Sequence, residues 1–322
     1  WAGQNGSILF WITCQAIVLL FIKSNEKNTH IILIILSVQA ILILLIIGIQ
    51  WGDIHIGRSV FMLLREAPEY ELEELFKNPD YLSFIKDGND INPILKHWLM
   101  SIHPPLLFMG YVCTAYLYAS ASNLLFGFND KSTLKELRKW NVWSLFFISL
   151  GIISGGLWAH ESLSFGGFWT WDPVENASLT IWLSLVISTH INLQAIKNKV
   201  SIAINAFANS LPFLTTLYTT FLTRSGLLND TSVHAFADTE YKYLIFLLLA
   251  LSFMFVLISV VLHLKKHKID YKDMSFNLNK DSVVIMSMLL LLVLNMQIVL
   301  SISFPVINHI FNTNFTLPLD TI

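Results

Sequence analysis

The chain has 322 residues and a formal net charge of −2; 54% of its residues are hydrophobic and 13% charged, with a mean hydropathy of +0.60. Soluble domains carry nearer a quarter charged residues, so this composition points to a protein solvated by lipid and excludes a basic nucleic-acid footprint. Cys14 and Cys113 both lie in apolar runs, which excludes a disulfide framework, a zinc cage, a Cys-x-x-Cys redox pair and a Cys-x-x-Cys-His attachment site.

A chain needs about 20 apolar residues to cross roughly 30 Å of hydrocarbon as a helix. Eight stretches qualify: 7–22, 30–50, 104–126, 141–159, 177–196, 201–222, 241–264 and 283–303. The expected fold is therefore all-α, a polytopic transmembrane helix bundle of about eight spans with short outer-face loops and helices. The sequence starts at Trp1 without an initiator Met or a basic leader, so the expectation is a fragment or one part of a split protein. The segments 23–29, 127–140, 196–200 and 264–282 hold 13 of the 20 Lys and Arg residues. Lys and Arg gather in short cytoplasmic loops, which assigns these four to the inner side and both chain ends to the outer side.

Four regions result. Residues 1–50 form the first two spans. Residues 51–97 form an outer-face acidic segment, nine Asp and Glu against five Lys and Arg, which reads as a solvated cap. Residues 98–264 form a core containing an aromatic loop at 158–176, and 265–322 supply an inner basic loop, the last span and an outer tail.

The aromatic loop reads Trp-Ala-His-Glu-Ser-Leu-Ser-Phe-Gly-Gly-Phe-Trp-Thr-Trp-Asp-Pro-Val-Glu-Asn, with five aromatics in the 14 residues from Trp158 to Trp171. An interfacial belt explains one or two Trp per helix end. It accounts poorly for a cluster on Gly166-Gly167, where a side-chain-free backbone approaches a flat object closely. Trp158, Phe165, Gly166, Gly167, Phe168, Trp169, Trp171, Asp172, Glu175 and Asn176 are thus candidates to hold a large planar ligand with charged edges. Asp172, Pro173 and Glu175 also suit the N-cap, N1 and N3 positions of the next helix. That helix start would aim free N–H groups at the same cavity, a place for a carboxylate.

Of the ten histidines, three stand out. His103 precedes Pro104-Pro105, which places it just outside the third span. His234 lies in the connection 223–240, at the same expected depth as the aromatic loop. Two imidazoles on opposite sides of an iron make a bis-His haem site; the alternative is two unrelated interfacial histidines. His190 falls about 20 Å into its helix, where an ionisable group is usually functional, unless it reaches the inner headgroups. Arg224 can pair with a propionate or anchor a helix end.

At these residues the chain resembles a known family. Phe165-Gly-Gly-Phe-Trp-Thr-Trp-Asp-Pro-Val-Glu-Asn-Ala-Ser looks like the tryptophan-rich "WWD" signature of haem-handling membrane proteins, in the form found in the CcmF family of cytochrome c-type biogenesis haem lyases (system I). His103-Pro-Pro-Leu-Leu-Phe-Met-Gly-Tyr-Val resembles the stretch around the family's first outer histidine, and Thr223-Arg-Ser-Gly-Leu with Ser232-Val-His-Ala-Phe-Ala the second. The resemblance implies that His103 and His234 are outer haem ligands, that Trp169, Trp171 and Asp172 belong to the platform, and that His190 ligates a second, buried b-type haem. Three departures stand out: Gln4 and Asn5 occupy positions where His and Glu are usual, Phe165 and Phe168 occupy Trp positions, and the second ligand of the buried haem lies in a later helix that this chain lacks. The implied reaction joins two apocytochrome c thiols to the vinyl groups of haem b. The implied partners are the haem chaperone CcmE, CcmH- and CcmI-type subunits, apocytochrome c and a companion chain, in a bacterial inner or mitochondrial inner membrane. No acid–base or nucleophilic pair for that reaction is evident, so the chain's part is positioning. The rival readings are a haem exporter or system II synthetase, a His-relay proton or ion transporter, and a structural subunit.

Overall fold

Helices account for nearly all the regular structure among the described residues, and four of the long ones begin at a side-chain cap: Asn25, Asp130, Asp172 and Ser201. In the computed structural model the described residues are all but 1–3, 24, 52–53, 58, 64, 66–72, 85–95, 163–166, 198–199, 229–231, 233–240, 267–279, 314 and 316–322. Helix α1 spans Gln4–Leu20 and α2 spans Glu26–Ile47, the latter begun by Asn25, whose side chain accepts from Asn28 N. A small antiparallel hairpin follows, β1 (Ile49–Trp51) with β2 (Ile54–Ile56), in which Gln50 faces His55. After the short helix α3 (Glu74–Lys77) and a 3₁₀ turn at Trp98–Ser101 come α4 (His103–Leu125), α5 (Lys131–Glu161), α6 (Pro173–Ile196), α7 (Ile202–Arg224), α8 (Tyr241–Lys266), α9 (Lys280–Ile302) and the short α10 (Phe304–Phe311).

All eight expected spans are helices. Among the described residues, five are long and apolar enough to cross a membrane: α2, α5, α6, α8 and α9. Helices α4 and α7 fall outside that set because of composition. At 23 residues each they reach about 34 Å. They are rich in Ser, Thr, Asn and Ala because other helices screen them from lipid. The fifteen buried residues of α4 run almost without a break from Phe108 to Leu124. Helix α5 begins ten residues earlier than the apolar run suggested. Asp130 accepts from Thr133 N at 2.7 Å and starts a basic, amphipathic extension that the hydropathy pattern hides.

The bundle is built around α4. It packs against α5 and α7, with α1, α2 and α8 on its flanks, while α6 lies against α5, α7 and α9. Between helices in lipid, association rests on close packing of small residues and on hydrogen bonds rather than on apolar burial. Both devices are present. A Cβ added to Gly110 would come within 2.5 Å of the Ile148 side chain, and one added to Gly151 within 2.5 Å of Leu107, so α4 and α5 approach at glycines. Polar side chains link the other helices: Asn192 and Asn209 exchange amide bonds of 2.9 and 3.0 Å, and Asn295 donates to Ser184 at 2.9 Å. Helices α8 and α9 instead expose Phe246, Leu251, Leu257, Met286, Leu290 and Val293, the surface that lipid requires.

Candidate functional site

The start of α4, the end of α5 and the start of α6 meet at one end of the bundle. His103 is the first residue of α4 rather than a residue just before it. Its Nδ1 lies 2.7 Å from the Gly151 carbonyl on α5. A carbonyl only accepts, so Nδ1 carries the proton and the ring's basic lone pair sits on Nε2. The ring lies flush against α5 because residue 155 is glycine: a Cβ there would stand 2.6 Å from Cε1 and 2.9 Å from Nδ1. The adjacent Gly156 makes room for Phe168 in the same way, with 2.6 Å from a built Cβ to the Phe168 ring. The Trp158 ring is 6.1 Å from that of His103.

The turn from the aromatic loop into α6 is tied by side chains. Asp172 accepts from Val174 N at 2.8 Å and Glu175 N at 3.4 Å. Glu175 reaches back to Thr170, taking its N–H at 2.9 Å and its hydroxyl at 3.2 Å. The expected N-cap, N1 and N3 roles of Asp172, Pro173 and Glu175 hold. One expectation is overturned: the α6 start does not offer free N–H groups. Pro173 has none, and those of Val174 and Glu175 are taken by the Asp172 carboxylate, while that of Asn176 bonds the Asp172 carbonyl at 2.9 Å. The helix start faces the site with a capping carboxylate in place of bare donors.

Trp171 adopts φ 58°, a left-handed conformation costly for a bulky residue. Its carbonyl accepts from Asn176 Nδ2 at 2.9 Å, a contact that holds the turn, and its side chain is 51% exposed. Phe168 is 46% exposed, Trp169 is half-buried, and a Cβ on Gly167 would meet nothing within 4 Å. An aromatic surface with open space beside it results.

His234, Phe165 and Gly166 lie outside the described residues. The connection carrying His234 is nevertheless fixed to this site two residues earlier, since the Ser232 hydroxyl donates to Asp172 at 2.9 Å. Arg224 ends α7 at the same end of the bundle but turns inward: it is 5% exposed and donates to Ser7 on α1. That bond ties the end of α7 to α1. His190 stands apart, deeper in α6, with Nδ1 2.8 Å from the carbonyl of Val186 on its own helix.

Reading the sequence missed the residues that seat His103. Gly151-Ile-Ile-Ser-Gly155-Gly156 is a small-xxx-small pattern in an apolar run, a known signal for close helix approach. It also passed over His97 as part of the acidic segment. That residue starts the 3₁₀ turn leading into α4 and bonds Glu161, the last residue of α5, at 2.8 Å.

Comparison with known proteins places these features. Residues 1–228 match the family described as Cytochrome C assembly protein. The chain is 35% identical over 250 residues to the cytochrome c-type biogenesis protein NrfE of Haemophilus influenzae, covering 77% of this chain and 36% of that protein. It is 33% identical over 257 residues to the cytochrome c-type biogenesis protein CcmF of Escherichia coli, covering 77% and 35%. It thus spans about a third of the length of the curated relatives it matches. A solved structure titled Cytochrome c Heme Lyase CcmF superposes with a TM-score of 0.61 over 95% of this chain and 42% of that one, at 20% identity, which shows a shared fold. With the match running through His103, the aromatic loop and α7, the chain belongs to the cytochrome c assembly protein family.

Proposed function

We propose that this chain is the haem-holding membrane part of a cytochrome c maturation machine of the haem lyase type. It presents haem b at the His103 end of the bundle for thioether attachment to apocytochrome c. The observation that carries the proposal is the seating of His103. An imidazole whose Nδ1 proton is held by a backbone carbonyl is the tautomer an iron ligand needs, and it stands beside an exposed aromatic surface of porphyrin-like flatness. Ser232 supports His234 as the second ligand, because its bond to Asp172 brings that connection to the platform.

The residues fit such a substrate. His103 and His234 would hold the iron from its two faces, and Trp158, Phe165, Phe168, Trp169 and Trp171 would cover the ring. Gly166 and Gly167 would leave room for its edge. Asp172, Glu175 and Asn176 would shape the turn beneath it. With its N–H groups already capped, the α6 start leaves the propionates to solvent or to partner groups. In the attachment reaction each cysteine S–H adds across one vinyl group, forming one C–S and one C–H bond without net oxidation. The chain's contribution is orientation, which can supply much of such a barrier.

His190 is proposed as one ligand of a second, buried b-type haem, its Nδ1 likewise held by a carbonyl; the partner ligand would come from a companion chain. The same reading places the His103 end on the periplasmic or intermembrane-space side of a bacterial or mitochondrial inner membrane. It makes CcmE the haem donor and CcmH- and CcmI-type subunits the suppliers of apocytochrome c. The test is the visible spectrum of the complex purified with its companions. His103→Ala and His234→Ala should each abolish most of the Soret absorbance attributable to this site. Haem retained by both variants with an unaltered spectrum would remove the assignment.

A further inference from the structure

The polypeptide leaves its last long span through a break. Ser303 N is shared between the carbonyls of Val299 and Leu300 at 3.1 Å each, and Pro305 brings no N–H to the ladder, so the helix is kinked between α9 and α10. Helix α9 has spanned the membrane by that point: its 23 residues reach about 34 Å, against roughly 30 Å of hydrocarbon. It ends on the His103 side of the bundle, where Ile302 packs with Ala177 near the start of α6 and Leu222 near the end of α7.

Helix α10 is divided by chemistry. Phe304, Val306, Ile307, Ile310 and Phe311 cover one side, and Asn308 and His309 the other. Val306 joins the apolar cluster of Ala177, Leu222, Leu228 and Ile302. Further along the apolar side the cover stops: Ile310 and Phe311 are 63% and 70% exposed, and Phe315 beyond them 57%. No Asp, Glu, Lys or Arg stands between Ser303 and Phe315. The tail is also folded so that its backbone is paired without water. Asn308 donates to the Phe315 carbonyl and accepts the Phe315 N–H, both at 2.8 Å, and the Asn312 N–H bonds the Asn308 carbonyl. The Phe315 ring thereby comes 6.1 Å from that of Phe304. Internal pairing of the backbone is what a water-poor layer demands.

The neighbouring span indicates what covers the three exposed side chains. Leu289, Val293, Met296 and Leu300 form an exposed stripe at i, i+4, i+7 and i+11. It is the lipid-facing side of α9, and it ends one turn before α10. We infer that α10 is an interfacial helix. It lies along the bilayer surface at the His103 end, with Ile310, Phe311 and Phe315 in the headgroup–acyl layer and His309 toward water. The attachment is apolar, so it does not require anionic lipid. It anchors the end of the bundle that carries the aromatic loop, and it stands apart from haem holding.

The test is depth-dependent fluorescence quenching of the full complex in nanodiscs of uncharged phosphatidylcholine. Ile310→Cys, Phe311→Cys and His309→Cys each carry a bimane label, with exposed Glu74→Cys as the water control and Val293→Cys as the mid-span control. Native Cys14 and Cys113 are buried, and the signal of the unsubstituted complex is subtracted. Labels at 310 and 311 should be quenched about twofold more strongly by a nitroxide near the lipid headgroup than by one deep in the acyl chains. The label at 293 should show the reverse, and those at 309 and 74 should respond to aqueous iodide. Iodide quenching at 310 and 311 as strong as at 74 would overturn the inference by placing the helix in water. Shielding of both positions from iodide and from both lipid nitroxides would overturn it too, because a protein partner would then cover that face.

Discussion

His103 and His190 are built on the same local device in two different ways. In each, Nδ1 meets a backbone carbonyl, which fixes the tautomer and turns Nε2 outward from that bond. For His190 the carbonyl belongs to Val186, one turn back on the same helix, so the ring keeps its setting wherever α6 is helical. For His103 the carbonyl belongs to Gly151 on α5, 48 residues away in sequence, so the setting exists only while α4 and α5 stay in glycine-mediated contact. One imidazole is oriented by secondary structure and the other by tertiary packing. The second is the one that distant substitutions should be able to move.

The largest effect should come from Gly155→Ala. Its new Cβ would stand 2.6 Å from the imidazole, forcing the ring from the Gly151 carbonyl. Disturbing the group that orients a ligand costs about 10- to 100-fold in metal affinity, and haem retention at this end should fall by that range. Any absorbance traced to His190 should be unchanged. Equal losses at both histidines would erase the distinction between them. Trp171→Gly should split stability from function, since glycine accepts φ 58° without strain. Thermal unfolding should show a gain of about 1 kcal/mol, while haem retention falls with the loss of the exposed indole.

Asn141→Leu probes the His190 side. Asn141 bonds Ser188, donates to the Leu185 carbonyl at 3.3 Å and accepts from Thr189 at 2.6 Å, joining α5 to α6 one turn from His190. Its loss should cost about 1–3 kcal/mol by removing the hydrogen bonds that tie α5 to α6, read by thermal unfolding in lipid, and should leave the His103 site intact. The smallest effect belongs to the start of α5. The backbone N–H and then the hydroxyl of Thr133, with a lesser contribution from Lys27, hold the Asp130 carboxyl below its ordinary pKa. The folded protein therefore binds that proton less readily than the unfolded chain. The stabilisation is complete above the ordinary carboxylate range and is lost as pH falls through the depressed value. Thr133→Val should shrink this contribution and raise the pH at which its loss is complete, and an unchanged end point in an unfolding titration would show that the hydroxyl does not hold the carboxyl down.

The helices were legible because hydropathy registers long apolar runs whatever surrounds them, and the Asp172-Pro173-Val174-Glu175 start was legible because capping is local. The aromatic loop could be read as a surface for the same reason. What hydropathy could not show is which helices face lipid: α4 and α7 read as ordinary spans, although Thr114, Asn123, Asn209 and Thr216 are wholly buried in them. Nor could a linear reading show that Gly155 and Gly156 seat His103 and Phe168 side by side, because close approach involves a partner far away in sequence. The free donors expected at the α6 start failed on a similar point: the cap that begins a helix also consumes its N–H groups.

Chemical rescue of His103→Gly in the intact complex tests the central claim most directly. The account predicts that the spectrum of a six-coordinate bis-imidazole haem is lost in the variant and returns when free imidazole fills the space left against Gly151 and Gly155. A variant whose spectrum never changes, or whose loss imidazole leaves untouched while the protein remains folded, would contradict it.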